Sequence, residues 1–186
     1  MYASGYVNFV VDNVINKFSR LTYNPFLMII SDSVGLAARC YELMIERSMQ
    51  RRTFGKFLFE HSSCQEMIAD SAAELEMARV MTLTCATAID ENGADTARDL
   101  IAIIKYVVPK LAIAITDRSV QLFGGAGVSS DFPLARSLAG LRTLRIADGP
   151  DAVHKRTVAL LALKKTAKEA GKENLFPQKR FRRSKL

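Results

Sequence analysis

From about residue 31 to residue 165 the sequence keeps one habit. Apolar residues recur at steps of three and four, interrupted only by short turns. That period belongs to helices with one buried face. Ser31-Asp32-Ser33 offers N-cap chemistry for a first helix that reaches about Arg51 and carries Leu36, Cys40, Leu43 and Met44 on one side. A second runs from Ser62 to about Asp90, with Met67, Ile68, Leu75, Ala78, Val80, Met81 and Ala88 on its apolar face. A third begins near Asp95 and continues to about Phe123; Pro109 should kink it or break its ladder. Pro133 opens a fourth with a stripe of Leu134, Leu138, Leu141 and Leu144. A fifth runs from about Asp151 to Lys165. No stretch alternates with the period of two that strands require. The fold expected is therefore all-α, an up-and-down helical bundle over 31–165.

Two flanks lie outside that pattern. In residues 1–30, Val7, Val11, Val14, Phe18 and Leu21 form one face of an amphipathic helix, which Tyr23-Asn24-Pro25 ends; the short apolar run Phe26 to Ile30 offers an alternative beginning for the next helix. Such a helix suits packing on the bundle or on a second subunit, or a docking or membrane-surface role. Residues 166–186 form a basic tail. Nine Lys or Arg against two Glu from 164 to 186 account for the whole net charge of +7. The bundle itself is neutral overall, which argues against a nucleic-acid-binding domain. Cys40, Cys64 and Cys85 have no metal-like spacing and read as buried thiols; His61 and His154 are the only histidines and stand far apart, so no metal site is expected. No apolar run approaches the roughly 18 residues of a membrane span.

Three short stretches carry chemistry. Arg51-Arg52-Thr53-Phe54-Gly55-Lys56 ends the first helix, with Gly55 as the expected stop. Its cations suit either a helix C-terminus or an anion site. Gln121-Leu122-Phe123-Gly124-Gly125-Ala126-Gly127 ends the third helix. Taken alone, its glycines fit a helix cap; they also fit a loop whose bare backbone admits a phosphate. Asp148-Gly149 ends the fourth, either as a turn or as an exposed carboxylate with work to do.

In that order and at that spacing, the three stretches resemble the C-terminal all-helical domain of the acyl-CoA dehydrogenases, from about Val34 to Leu163. The phrase Asp148-Gly149-Pro150-Asp151-Ala152-Val153-His154 is most similar to the branch whose members often carry a fused kinase-like domain. The resemblance implies an FAD-dependent oxidoreductase that desaturates acyl-CoA in fatty-acid β-oxidation, working as a homodimer or homotetramer. It implies that Arg51, Thr53 and Phe54, with Gln121, Gly124 and Gly125, hold FAD across a subunit interface. It implies that Asp148 is the catalytic base. A non-catalytic oligomerisation module derived from the family is the alternative.

The sequence departs from the family pattern in places. Ser62 stands where glutamine usually follows Glu-His, Phe26 near an expected arginine, Ala139-Gly140 for an Arg-Asp pair, and Pro150 for a threonine. These 186 residues include neither the N-terminal helical domain nor the middle β-domain of a full family member. Ser184-Lys185-Leu186 matches the peroxisomal targeting tripeptide, which implies an import receptor as partner and a peroxisomal location, with mitochondrion or cytoplasm as alternatives.

Overall fold

A computed structural model describes residues 25–172 and 175–176. The expected N-terminal helix of residues 1–24 and the targeting tripeptide Ser184-Lys185-Leu186 lie outside the described residues. Within them are five helices: α1 (Pro25–Gln50), α2 (Ser62–Asn92), α3 (Arg98–Phe123), α4 (Leu134–Leu144) and α5 (Asp151–Glu169). They form the all-α bundle expected. None is long and apolar enough to cross a membrane.

The long helix α3 is the axis of the bundle and packs against each of the other four. Its buried stripe of Ile104, Val108, Ala112 and Ile115 meets Leu27, Ile30, Val34, Ala37 and Ala38 of α1 and Leu75, Ala78, Cys85 and Ala86 of α2. Both stripes keep the steps of three and four of a single helix face. The alanines let the helices approach closely while the larger residues fill between them. A second cluster joins Cys40 and Leu43 of α1 to Phe123 and Leu134, with Phe132 edge-on to Phe123 at 4.8 Å. It roots the glycine stretch at the end of α3. Between α2 and α3 the Arg118 guanidinium donates to both carboxylate oxygens of Glu74, at 2.6 and 3.0 Å.

Several expectations need correction. The first helix starts at Pro25 and takes in the apolar run Phe26 to Ile30, so of the two beginnings the sequence offers it uses that one and not Ser31. Proline at a first helical position has no N–H to lose, and the serine hydroxyls bond backward within the helix: Ser31 to Leu27 O at 2.8 Å and Ser33 to Ile29 O at 3.1 Å. Gly55 does not stop α1, which ends at Gln50. It forms the tip of a two-residue hairpin between β1 (Arg52–Thr53) and β2 (Lys56–Phe57), a strand pair the sequence pattern did not suggest. Both tip residues have positive φ, Phe54 at 51° and Gly55 at 79°, as a type I′ hairpin turn requires. Pro109, by contrast, lies buried inside α3 as expected, and the helix runs on through it to Phe123. On α2 the buried face runs through Ser71, Leu75, Ala78, Thr82 and Cys85, leaving Val80 exposed. The Thr82 hydroxyl is satisfied internally by Ala78 O at 2.8 Å, so it needs no solvent.

The thiols give a direct check on this packing. Cys40 and Cys85 are buried and Cys64 is half-buried. Burial pushes both buried thiols up, Cys85 to about 11 with help from the charge of Asp99. A disulfide reagent at pH 8 should titrate only Cys64 in the folded chain and all three thiols after unfolding. The unfolded thiol ionises near 9.0 while native Cys85 keeps its proton to about 11. The unfolded state therefore gains stability as pH rises through that window, and the fold loses it. Urea melts of Cys85→Ala should show a shallower stability loss between pH 9 and 11 than the wild type; equal slopes would contradict the buried thiol.

Candidate cofactor and catalytic site

The hairpin after α1 is fixed at many points, and that decides where Arg51 and Thr53 sit. Arg51 N–H donates to Arg47 O at 3.0 Å, and Leu58 N–H to Arg51 O at 2.9 Å. The Glu60 carboxylate accepts from Phe57 N–H at 2.6 Å. His61 Nε2 lies 3.3 Å from Thr53 O and 3.4 Å from Thr53 Oγ1, so the imidazole at the start of α2 clasps β1. The Arg52 guanidinium lies over the Phe57 ring at 4.2 Å, and Phe57 stacks on Phe59. Arg52 is thereby occupied. Arg51 is exposed and has no ion-pair partner among the described residues.

At the end of α3, Gly124 takes φ +64° and returns its N–H to Gln121 O and Val120 O. The expected helix cap is therefore real. A short 3₁₀ turn, Gly124–Val128, follows, stitched by Ser129 Oγ to Ala126 O at 2.9 Å. A β-carbon at Gly124 or Gly125 would meet nothing within 4 Å, whereas at Gly127 it would lie 2.5 Å from Val120 O. Gly127 thus folds the turn, and Gly125 leaves backbone bare to open space.

Hairpin and turn flank an open cavity of about 350 Å³, lined by Arg47, Arg51, Thr53, Phe123, Gly124 and Gly125 among others. Four of the expected cofactor residues, Arg51, Thr53, Gly124 and Gly125, are brought together there. Gln121 and Phe54 are not in its wall. Gln121 is exposed on the last turn of α3. Phe54 is 97% exposed at the hairpin tip, a large apolar ring with no cover among the described residues. Sequence reasoning missed Arg47, although its spacing of four from Arg51 puts both on one helix face. Its guanidinium sits 5.3 Å from the centre of the Phe123 ring, and its buried Nε has no hydrogen-bond partner among the described residues. Two guanidiniums beside an open glycine backbone fit the pyrophosphate of a dinucleotide, since arginine matches phosphate oxygens in pairs.

Asp148 lies elsewhere. It is exposed, in the turn between α4 and α5, with φ 53° followed by Gly149 at φ 104°. Lys105, near the start of α3, donates to Leu144 O at 2.7 Å and Ala147 O at 2.9 Å just ahead of it. His154 Nε2 lies 3.3 Å from Asp148 O. Arg145 Nε donates to Asp151 Oδ2 at 2.9 Å across the turn. Lys105 and Phe123 are 18 positions apart on one helix, about 27 Å at the α-helical rise. The carboxylate and the cation-lined cavity therefore stand toward opposite ends of α3.

This bundle is one found among flavoenzymes. The family described as acyl-CoA dehydrogenase, C-terminal domain, matches residues 26–162, and the chain belongs to it. Acyl-CoA dehydrogenase family member 11 of Rattus norvegicus is 47% identical over 137 residues, which cover 74% of this chain and 18% of that protein. A solved structure of a putative acyl-CoA dehydrogenase from Mycobacterium abscessus aligns at TM-score 0.72 and 36% identity, covering 74% of this chain and 34% of that one. The FAD complex of PigA aligns at TM-score 0.65 and 26% identity, covering 77% of this chain and 35% of that one. The chain thus spans about a fifth of the curated relative and a third of the solved ones.

Proposed function

We propose that this chain supplies the C-terminal part of the active site of an FAD-dependent acyl-CoA dehydrogenase, which desaturates acyl-CoA thioesters between the α and β carbons in fatty-acid β-oxidation. The observation that carries this reading is the cavity that gathers Arg51, Thr53, Gly124 and Gly125 from two separated motifs. In this reading Arg51 and Arg47 bind the pyrophosphate, and the bare backbone of Gly124 and Gly125 lets the dinucleotide lie close. Gln121 and Phe54 extend the contact beyond the cavity. The Asp148 carboxylate takes the α-proton of the thioester while the β-hydrogen departs with its electron pair as hydride. Bound FAD supplies the hydride acceptor.

Cavity and carboxylate stand toward opposite ends of α3. In a homodimer or homotetramer each chain would then offer its carboxylate to one flavin and its arginines to a partner's.

Purifying the chain with added FAD and recording the visible spectrum tests the reading. A bound flavin band is expected. Arg51→Ala should weaken FAD binding by about 10–100-fold, the worth of a charged hydrogen bond to phosphate. A folded chain that retains no flavin would sink the idea of a self-sufficient dehydrogenase, and FAD affinity equal to wild type in Arg51→Ala would remove the cavity as the pyrophosphate site.

A further inference from the structure

The most costly side chain in the bundle is Lys105. It is 1% exposed, the largest fully buried side chain, on the apolar stripe of α3 between Ile101 and Val108. Taking an ammonium out of water costs several kcal/mol unless its donors are met. Burial pushes this amine down from 10.5, and the carboxylates of Asp148 and Asp151 oppose that push. A helix end needs no such device. Glycine or an exposed cation closes most of them.

What the buried cation does is specific. It reaches from α3 to Leu144 O, at the last residue of α4, and to Ala147 O, the residue before Asp148. Leu144 O belongs to the negative end of α4, and Ala147 O to the turn that follows it. Past them the chain enters two consecutive positive-φ residues, Asp148 at 53° and Gly149 at 104°. Aspartate enters that region more readily than most side chains, at a modest cost that the surroundings must offset. Three tethers hold the turn there: Lys105 on 144 and 147, Arg145 to Asp151 across the turn, and His154 against Asp148 O and over Gly149. The backbone on both flanks of Asp148 is held, yet its carboxylate is exposed.

We propose that Lys105 is a positioning residue for the Asp148 base, fixing through Leu144 O and Ala147 O the turn that presents the carboxylate to substrate. This rests on the assignment of Asp148 as base. A carboxylate displaced by about 1 Å can lose 100-fold in rate, so the tether should appear in the chemical step and not in binding.

The test compares Lys105→Met, Lys105→Arg and Asp148→Asn in the full chain loaded with FAD. Lys105→Met should keep flavin content and the KM for acyl-CoA while kcat for flavin reduction falls about 10–100-fold. Lys105→Arg, which keeps the donors, should recover at least part of that loss. In the chain without cofactor, amides of residues 145–149 should exchange about tenfold faster in Lys105→Met, with α1 and α2 unchanged. If the methionine variant does not fold, Lys105→Gln, which keeps an N–H donor but no charge, takes its place against Lys105→Arg. An unchanged kcat in Lys105→Met or Lys105→Gln, with Asp148→Asn inactive, overturns the proposal and leaves the base assignment standing. Reduction that survives Asp148→Asn removes the base assignment and this proposal with it.

Discussion

Replacing Gly127 with alanine is expected to destabilise the fold by about 3 kcal/mol, near the upper end of overpacking penalties. The added methyl would lie 2.5 Å from Val120 O and 2.9 Å from Val120 Cα, both backbone atoms of α3, and 3.0 Å from Phe123 Cβ. None of these is the free end of a flexible side chain. Relief would require the 3₁₀ turn to lift off the helix end, and Phe123 anchors that end in the cluster with Cys40, Leu43 and Leu134. For a chain of this size that cost lowers Tm by about 6–12 °C. The neighbouring glycine gives the contrast. Gly125 has open space where its methyl would go, and its φ is not in the left-handed region. Gly125→Ala should hold its Tm or gain slightly, by up to about 1 kcal/mol from the stiffer unfolded chain, and still lose FAD, because the methyl stands in the cavity. Thermal melts and flavin absorbance on the two variants check both halves. If Gly125→Ala binds FAD like the wild type, the cavity is not where the dinucleotide lies.

Those two glycines also show what the sequence can and cannot tell. Three glycines in four positions are visible at once, but which one faces backbone and which faces a ligand depends on how α3 ends. The helices were legible because their apolar steps are long and regular. The stop of α1 was not: a glycine after a helix looks the same whether it caps the helix or turns a two-residue hairpin. On α2 the expected face held at Leu75, Ala78 and Met81, but Val80 is exposed, and the buried Ser71 and Thr82 were not legible because polarity did not mark the solvent side. The family resemblance put Arg51, Thr53, Gly124 and Gly125 forward as candidates, and the four line one cavity. Arg47 and Lys105 were not put forward, since a cation in a helix reads first as solvated surface. The spacing held a clue in both cases. Arg47 is one turn from Arg51, and Lys105 falls in phase with Ile101, Val108 and Ala112.

The second large effect is expected at Asp148. Asp148→Asn should lower the rate at which acyl-CoA bleaches the flavin by about 1000-fold, within the range for removal of a general base. An amide has nearly the carboxylate's shape but does not take up a proton at neutral pH. Asparagine also tolerates positive φ as aspartate does, so the turn at φ 53° should survive, and with it the tethers from Lys105 and His154. Flavin content and acyl-CoA affinity should therefore stay near wild type while kcat collapses. Asp148→Gly separates conformation from chemistry. Glycine relieves the left-handed strain, and the fold should gain about 0.5–1 kcal/mol, while the variant remains as inactive as Asp148→Asn. A residue kept for the turn alone would behave in the opposite way, with activity following stability. Stopped-flow absorbance beside thermal melts on the same preparations reads both quantities. Flavin reduction at the wild-type rate in Asp148→Asn would mean that the α-proton leaves to another group, and that the strained turn serves the fold and not the reaction.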